Sequence, residues 1–426
     1  VDSMKKHQIC IVFALVYTLS IVLAGCSDAN VSPETINEIQ EALISARDRQ
    51  AQARVGAEDT NSVTGTDAIT NANADVSIST TISPTDIITD DGLLPPIAGP
   101  AIIPPSAKVN EEYTGFTVDA LSTRLEDPSY GTGRFVITQF LGSAGPFLRY
   151  LVSYQSDAGN GEMLDIHGFM NVPVNASPET PAPVVLVLHG YVTPERYNTF
   201  AYTTRYADRL AEAGYVTIHP NYRNHPPSDS DPNYSRLTGS SDFRVGYAID
   251  ILDLVGIIQK QGGVSNQLPE TTDVLASIDP NNIGLWGHSM GGGITLRVIT
   301  VNPTVQAAVV YGSMSGDEQL NHERVLFFTD GVRGNWPADA KPTVQALWEI
   351  SPANHYDRIS TPVSIHHGRL DDQVPLVWSL NLCTQLQGLR KTVECFTYDT
   401  MPHTFRGAGD TVFIQRTVTF FDQYLK

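Results

Sequence analysis

A serine between two glycines stands at the centre of the most informative segment of this sequence, Gly287-His288-Ser289-Met290-Gly291. A serine hydroxyl becomes a strong nucleophile when a neighbouring base removes its proton, and flanking glycines permit the sharp turn that exposes such a hydroxyl. The pattern alone is also compatible with a surface turn that carries an idle serine. Its interpretation therefore depends on the surrounding elements and on two partner residues, a base and an acid.

The residues around the pentapeptide predict the elements that would position Ser289. Residues 282–286 form an apolar run typical of a buried strand, and residues 291–298 begin with three glycines before a helical pattern. A strand, a sharp turn and a helix in this order form the nucleophile elbow of the α/β-hydrolase fold. In that fold the catalytic residues follow the chain order serine, acid, histidine.

Candidate partners for Ser289 follow two later strands of the predicted fold. Asp371 comes after the apolar run 362–365, with Asp372 beside it as the alternative acid. His403 comes after the run 395–398. We therefore expect Ser289 to be the nucleophile, His403 the general base and Asp371 the carboxylate that orients His403.

At these residues the chain resembles the prolyl oligopeptidase family of α/β-hydrolases and the related dienelactone-hydrolase-like esterases. The resemblance extends from about residue 149 to the carboxyl terminus and implies a serine hydrolase without a cofactor. No metal is expected either, because the pair His366-His367 has no partner at ligand spacing. The family pattern H-G-x-x-D-x-x-V-P is matched by His367, Gly368, Asp371, Val374 and Pro375, and His403 matches the family's histidine.

An oxyanion hole requires N–H groups directed at the charge that develops during acyl transfer. The backbone N–H of Met290, directly after the nucleophile, is the first candidate. The second comes from the loop after residue 188, where His189-Gly190-Tyr191 resembles a family motif. Tyr191 is expected to act through its amide or through its hydroxyl, and a purely packing role is the alternative.

The pattern over residues 106–426 predicts one α/β-hydrolase domain with a doubly wound, mostly parallel sheet. Residues 315–353, with several aromatic side chains that include Phe327, Phe328, Trp336 and Trp348, are expected to form a helical cap, or else a packed surface excursion. Strands are predicted at 135–138, 149–154, 166–170, 184–188, 215–219, 282–286, 307–311, 363–366 and 393–398, and further helices at 199–213, 245–259 and 411–425.

The first 25 residues have the features of a signal peptide, with residues 1–3 preceding the first methionine. Residues 5–7 are basic, and residues 9–23 form an apolar core that is short for a membrane span. The segment ends in Leu-Ala-Gly-Cys at Cys26, which resembles the lipobox of bacterial lipoproteins. That resemblance implies cleavage before Cys26, lipidation of its thiol and export to a membrane surface, with Ser27 permitting sorting to the outer membrane. An ordinary signal peptide is the alternative.

Residues 26–105 are rich in Ser, Thr, Asn, Asp, Ala and Pro, which predicts a low-complexity tether with one short amphipathic helix at 33–54. The formal net charge of −19 argues against a nucleic-acid partner. Apart from Cys10 in the leader and Cys26 directly after it, two of the four cysteines remain, Cys383 and Cys395. In an exported protein they would form either a disulfide or two separately buried thiols.

Together these features predict an exported, lipid-anchored serine hydrolase that cleaves small-molecule or polymeric carboxylic esters through an acyl-enzyme. Long prolyl oligopeptidases carry a β-propeller before the hydrolase domain. The residues that precede the domain in this sequence are too few for one, which favours an esterase with an open site. The alternatives are an aminopeptidase or dipeptidyl peptidase and, from another class, a non-catalytic lipid-anchored binding module.

Overall fold

The structure is a computed structural model and describes residues 111–158, 162–230, 240–263, 274–328 and 343–426. All of these residues lie within one compact unit, 75–426. The expectations for the signal peptide (1–25), for Cys26 and the tether (26–105), and for Trp336 fall outside the described residues and stay predictions.

A nine-stranded sheet forms the centre of the described fold. Its strands are β1 (Phe135–Ser143), β2 (Phe147–Asp157), β3 (Met163–Pro173), β4 (Ala182–Leu188), β5 (Val216–Pro220), β6 (Ile278–His288), β7 (Ala307–Tyr311), β8 (Val363–Gly368) and β9 (Val393–Tyr398). Across the sheet the order is β1-β2-β3-β5-β4-β6-β7-β8-β9. The pairs β1–β2, β2–β3 and β3–β5 are antiparallel, and all later pairs are parallel. The predicted mostly parallel sheet is confirmed.

Helices cover both faces of this sheet. The described α-helices are α1 (Val118–Arg124), α2 (Thr204–Glu212), α3 (Ser240–Gln261), α4 (Met290–Val301), α5 (Glu318–Phe328), α6 (Val344–Ile350), α7 (Leu376–Gly388) and α8 (Gly407–Leu425). None of these described helices combines the length and the apolar character needed to cross a membrane.

The alternation of side chains along β4 explains why the sheet needs helices on both faces. Val184, Leu186 and Leu188 belong to one buried cluster, which also contains residues of α3, α4 and α7. Val185 and Val187 belong to a second cluster with residues of α2 and α8. Because successive strand side chains point to opposite faces, a continuous apolar run is stable only where both faces are covered.

The start of helix α2 and the presence of helix α1 differ from the sequence expectation. The helix predicted from residue 199 begins at Thr204, because Asn198 Oδ1 accepts a hydrogen bond from the Phe200 amide at 2.8 Å and so favours a turn. Helix α1 was not predicted, since only Val118 and Leu121 face the core and a stretch this short has no clear periodicity.

Cys383 on α7 and Cys395 on β9 form a disulfide with an S–S distance of 2.02 Å. Of the two alternatives left open by the sequence, the structure therefore has the disulfide. The bond joins the helix that follows the Asp371 loop to the strand that precedes His403.

Candidate active site

Ser289 occupies a strained turn between β6 and α4. Its backbone has φ 55° and ψ −116°, a region that non-glycine residues rarely adopt. The surrounding backbone fixes this conformation. The Ser289 amide donates to the Tyr311 carbonyl at 2.9 Å, and its own carbonyl accepts from the amides of Gly292 and Met314, both at 3.0 Å. The turn is thus held from the neighbouring strand β7 as well as from its own helix.

The two glycines of the pentapeptide are required by packing. A Cβ atom at Gly287 would lie 2.3 Å from the Gly291 carbonyl oxygen, and one at Gly291 would lie 2.2 Å from the Leu188 carbonyl oxygen. Both distances are far shorter than a van der Waals contact, and in both cases the neighbouring atom belongs to the backbone, which cannot move aside as a side chain can. Close packing of β4, β6 and α4 therefore explains the Gly-x-Ser-x-Gly spacing.

Asp371 and His403 form a direct hydrogen bond, with 2.7 Å between Asp371 Oδ2 and His403 Nδ1. Asp371 Oδ1 accepts from the amides of Gln373 at 2.9 Å and Val374 at 2.8 Å. Burial raises the pKa of Asp371, but hydrogen bonds from His367 and His403 outweigh it and hold that pKa well below its usual range. Asp371 is therefore ionised at neutral pH, and it contacts His403, whereas the alternative acid Asp372 is exposed.

His367 is a second histidine on the same carboxylate. Its Nε2 lies 3.1 Å from Asp371 Oδ2 and 3.1 Å from the Val374 carbonyl oxygen, while Nδ1 lies 2.7 Å from Ser379 Oγ. A carbonyl can only accept, so Nε2 carries a proton, which it donates to the Val374 carbonyl and to Asp371. His367 thus stabilises the charge of Asp371.

His366 faces different partners from His367. Its ring nitrogens lie 2.9 Å from the Tyr398 hydroxyl and 2.8 Å from Ser364 Oγ. Across the described ranges, no group of three His, Cys, Asp or Glu side chains is arranged to hold a metal ion.

Gly312, the residue after β7, lies between Ser289 and the Asp371–His403 pair. A Cβ atom at Gly312 would lie 3.3 Å from both Asp371 Oδ2 and His403 Nδ1. The backbone carbonyl of the preceding residue, Tyr311, accepts a hydrogen bond from the Ser289 amide. Because Nδ1 of His403 is hydrogen-bonded to Asp371, Nε2 of His403 is the ring nitrogen available to Ser289. Among the described residues Ser289 Oγ makes no hydrogen bond, and such catalytic contacts often tighten only when substrate binds.

The two predicted oxyanion residues belong to the start of α4 and to the loop after β4, where a Cβ atom at Gly190 would lie 3.1 Å from Ser289 Cβ. Met290 is the first residue of α4, so its N–H has no acceptor within the helix and is available to an anion. Tyr191 follows β4 and is 45% exposed. The amide of Gly190 donates to the Tyr202 hydroxyl at 2.9 Å and is therefore already used. Tyr191 remains the candidate of this loop, through its amide or its hydroxyl.

The segment predicted as a cap contains α5 and α6, and residues 329–342 between them are outside the described ranges. A cavity of about 670 Å³ lies against these helices, and Met314, Trp348 and Trp378 are among its lining residues. The Met314 amide donates to the Ser289 carbonyl, whereas Ser289, Asp371 and His403 are not themselves among the residues that line the cavity. Arg324 on α5 donates to the carbonyl oxygens of Asp372 at 3.0 Å and Gln373 at 2.9 Å, which attaches the segment to the Asp371 loop.

Sequence reasoning missed three residues that support this arrangement, Tyr202, Gly312 and Arg324, and also the contact between His367 and Asp371. Two of them had a signal in the sequence. His367 belongs to the H-G-x-x-D pattern, and Gly312 directly follows a buried strand, where a glycine indicates a close approach. Tyr202 and Arg324 act through contacts between segments that are distant in sequence, so no local pattern marked them.

Comparison with known proteins agrees with this geometry. The model of the prolyl oligopeptidase family matches residues 270–426. An uncharacterized peptidase, YuxL, of Bacillus subtilis (strain 168) is 24% identical over 248 residues, which are 57% of this chain and 34% of that protein. The chain thus spans about a third of the length of this relative.

Solved structures with the same fold include two acetyl xylan esterases. Acetyl xylan esterase 1 from Thermoanaerobacterium sp. JW/SL YS485 has a TM-score of 0.51 and 14% identity, covering 71% of this chain and 93% of that chain. The enzyme from Paenibacillus sp. R4 has a TM-score of 0.50 and 16% identity, covering 73% and 95%. At these identities the likeness establishes the α/β-hydrolase fold. Residues 270–426, which contain Ser289, Asp371 and His403, thus match the prolyl oligopeptidase family, within a chain that has the α/β-hydrolase fold.

Proposed function

We propose that the protein hydrolyses carboxylic esters through an acyl-enzyme. Ser289 attacks the ester carbonyl, and His403 takes the serine proton and passes it to the departing alcohol oxygen. Asp371 orients His403 and stabilises its imidazolium form, while Met290 and Tyr191 stabilise the oxyanion. Water, activated by His403, then releases the acid. The observation that carries this proposal is the 2.7 Å hydrogen bond between Asp371 and His403 beside the strained turn of Ser289.

The carboxylates beside the cavity bear on the choice between an ester and a peptide with a free amino terminus. A peptidase of that kind needs an ionised carboxylate to bind the α-ammonium group. Glu318 is buried in an ion pair with Arg297, at 2.5 Å. Asp317 accepts hydrogen bonds from the first amides of α5, and burial raises its pKa. Glu318 and Asp317 are thus engaged within the protein. Asp357, a further carboxylate that lines the cavity, is exposed, and binding of an α-ammonium group there would favour the peptidase.

The direct test compares p-nitrophenyl acyl esters with aminoacyl p-nitroanilides on the same enzyme preparation. We expect kcat/KM for the best ester to exceed that for the best anilide by more than 100-fold. Ser289→Ala is the control, and it should remove the turnover of both substrates. A preference for the anilides would support the second candidate, a peptidase, which the family match and the peptidase relative favour.

Acetyl esters of a polysaccharide are the first natural substrate class that we propose. The two esterases that share the fold over more than nine-tenths of their own chains are named for acetyl xylan, and this supports the choice. Acetate release from acetylated xylan, measured beside a p-nitrophenyl ester series from acetyl to octanoyl, tests it. A maximum at acetyl supports the proposal, and a maximum at longer chains contradicts it.

We further propose that the protein is exported and anchored to a bacterial membrane, the outer membrane in particular, through lipid on Cys26. The motif that ends at Cys26 supports this, and so does the disulfide between Cys383 and Cys395, because disulfides persist in oxidising compartments. Labelled palmitate should be incorporated into the wild type and not into Cys26→Ser. A Cys26→Ser protein that remains in the membrane fraction with its label would contradict the anchor.

A further inference from the structure

A chain of side-chain hydrogen bonds runs behind the nucleophile and connects two catalytic loops. The Gly190 amide donates to the Tyr202 hydroxyl at 2.9 Å, and that hydroxyl lies 2.6 Å from His288 Nδ1. His288 Nε2 lies 3.0 Å from the backbone carbonyl oxygen of His403. The chain therefore begins beside Tyr191, passes the residue that precedes Ser289 and ends on the catalytic base.

The chemistry of the acceptors gives the chain one direction. The His403 carbonyl can only accept, so His288 Nε2 carries the proton and Nδ1 has the free lone pair. The Tyr202 hydroxyl then donates to Nδ1 and accepts from Gly190. Burial, with the neighbouring His403, holds the pKa of His288 well below its usual range, which keeps this ring neutral. Every group in the chain is thus satisfied in a single arrangement.

This arrangement fixes two groups that the reaction needs. The His288 and His403 rings are 4.6 Å apart, and the bond to the His403 carbonyl fixes the backbone while Asp371 fixes Nδ1. At the other end, the Gly190 amide is held inside the protein, which sets the direction of the next peptide unit, that of Tyr191. A Cβ atom at Gly190 would lie 2.8 Å from the Tyr202 hydroxyl and 3.1 Å from Ser289 Cβ. The Gly190 backbone is therefore packed closely against both Tyr202 and Ser289.

We propose that Tyr202 and His288 are positioning residues, which hold the His403 loop and the Gly190–Tyr191 loop in register around Ser289. The proposal rests on the proposed roles of Ser289 and His403 in catalysis. Neither residue needs to touch the substrate, because both act through the placement of the base and of the oxyanion loop. A displacement of about 1 Å of such groups can lower a rate by about 100-fold.

The test measures the second-order rate constant for phosphonylation of Ser289 by a fluorophosphonate in Tyr202→Phe, His288→Leu and His288→Gln. We expect about a 10-fold decrease for Tyr202→Phe and about a 100-fold decrease for His288→Leu. His288→Gln, whose side-chain amide can still donate to the His403 carbonyl, should recover at least 5-fold over His288→Leu. Rate constants for Tyr202→Phe and His288→Leu that both lie within 2-fold of the wild type would overturn the proposal.

A matched control and a second readout separate positioning from folding. Tyr215→Phe removes another tyrosine hydroxyl, one that donates to Asp422 at 2.6 Å and has no part in the chain, and its rate constant should stay within 2-fold of the wild type. Partial unfolding lowers the fraction of enzyme that is labelled, whereas displacement of the base lowers the rate constant of the folded fraction. If the fluorophosphonate does not label the wild type at all, the proposed role of Ser289 as the nucleophile is refuted instead.

Discussion

The replacement His367→Leu tests how much the second histidine contributes to the catalytic carboxylate. His367 Nε2 shares Asp371 Oδ2 with His403, at 3.1 and 2.7 Å, and two backbone amides occupy Oδ1. The replacement therefore removes one of four donors from a buried charge. A hydrogen bond to a charged group contributes about 1.5 to 3 kcal/mol. The His367 proton is also shared with the Val374 carbonyl, so we take about 2 kcal/mol.

A loss of this size predicts a decrease in kcat of up to about 30-fold, if the whole interaction stabilises the transition state. The free energy of unfolding should fall by a similar amount at pH 7.5. Folding lowers the pKa of Asp371, so its charge stabilises the folded state at pH values above the unfolded pKa of about 3.9. This contribution to stability is lost as the pH falls through the folded pKa. The difference between variant and wild type should therefore shrink below about pH 4.

The assay is steady-state turnover of a p-nitrophenyl ester together with urea unfolding of the same preparations. His367→Gln is the matched control, because its amide can still donate to Asp371, and its kcat should stay within about 5-fold of the wild type. A His367→Leu enzyme with kcat within 2-fold of the wild type would show that His367 does not support the carboxylate, and it would refute this reasoning.

Three further predictions follow from particular contacts. Gly312 has a φ of 49°, and Gly312→Ala places a methyl group 3.3 Å from the side chains of Asp371 and His403, so it should lower kcat at least 10-fold. A Gly312→Ala enzyme with the wild-type kcat would contradict the close packing of Gly312 against this pair. Cys383→Ser opens a loop of 12-residue separation and should lower the free energy of unfolding by about 3 kcal/mol, measured beside dithiothreitol-treated wild type, which should match it. Burial raises the pKa of Asp253 to about 6, so stability should fall as the pH rises from about 4 through 6. Asp253→Asn should then stabilise the protein by on the order of 1 to 3 kcal/mol at pH 8 and not at pH 4, and a gain equal at both pH values in urea unfolding would contradict the shift.

Much of the architecture could be predicted because it depends on local patterns. The apolar run at 184–188 has no polar alternation, so it required cover on both faces, and the structure places its residues in two clusters. Ser289, Asp371 and His403 each follow a strand of the parallel region, and parallel strands all end at the same edge of the sheet. Their common location followed from the fold class alone.

The supporting contacts could not be predicted because they join segments that are distant in the chain. Tyr202 and His288 are 86 residues apart, and their hydrogen bond depends on β4 lying beside β6 in the sheet order. Arg324 reaches the Asp371 loop across 48 and 49 residues. Neither contact leaves a periodic or spacing signal. The exact start of α2 depended on one side-chain hydrogen bond of Asn198, which competes with the helix.

The covalent modification of Ser289 by a fluorophosphonate tests the central claim most directly. The account predicts that the wild type is labelled on the peptide that contains Ser289, that Ser289→Ala is not labelled, and that His403→Ala is labelled at least 100-fold more slowly. Labelling that persists in Ser289→Ala, or that proceeds at the wild-type rate in His403→Ala, would contradict a serine activated by the Asp371–His403 pair.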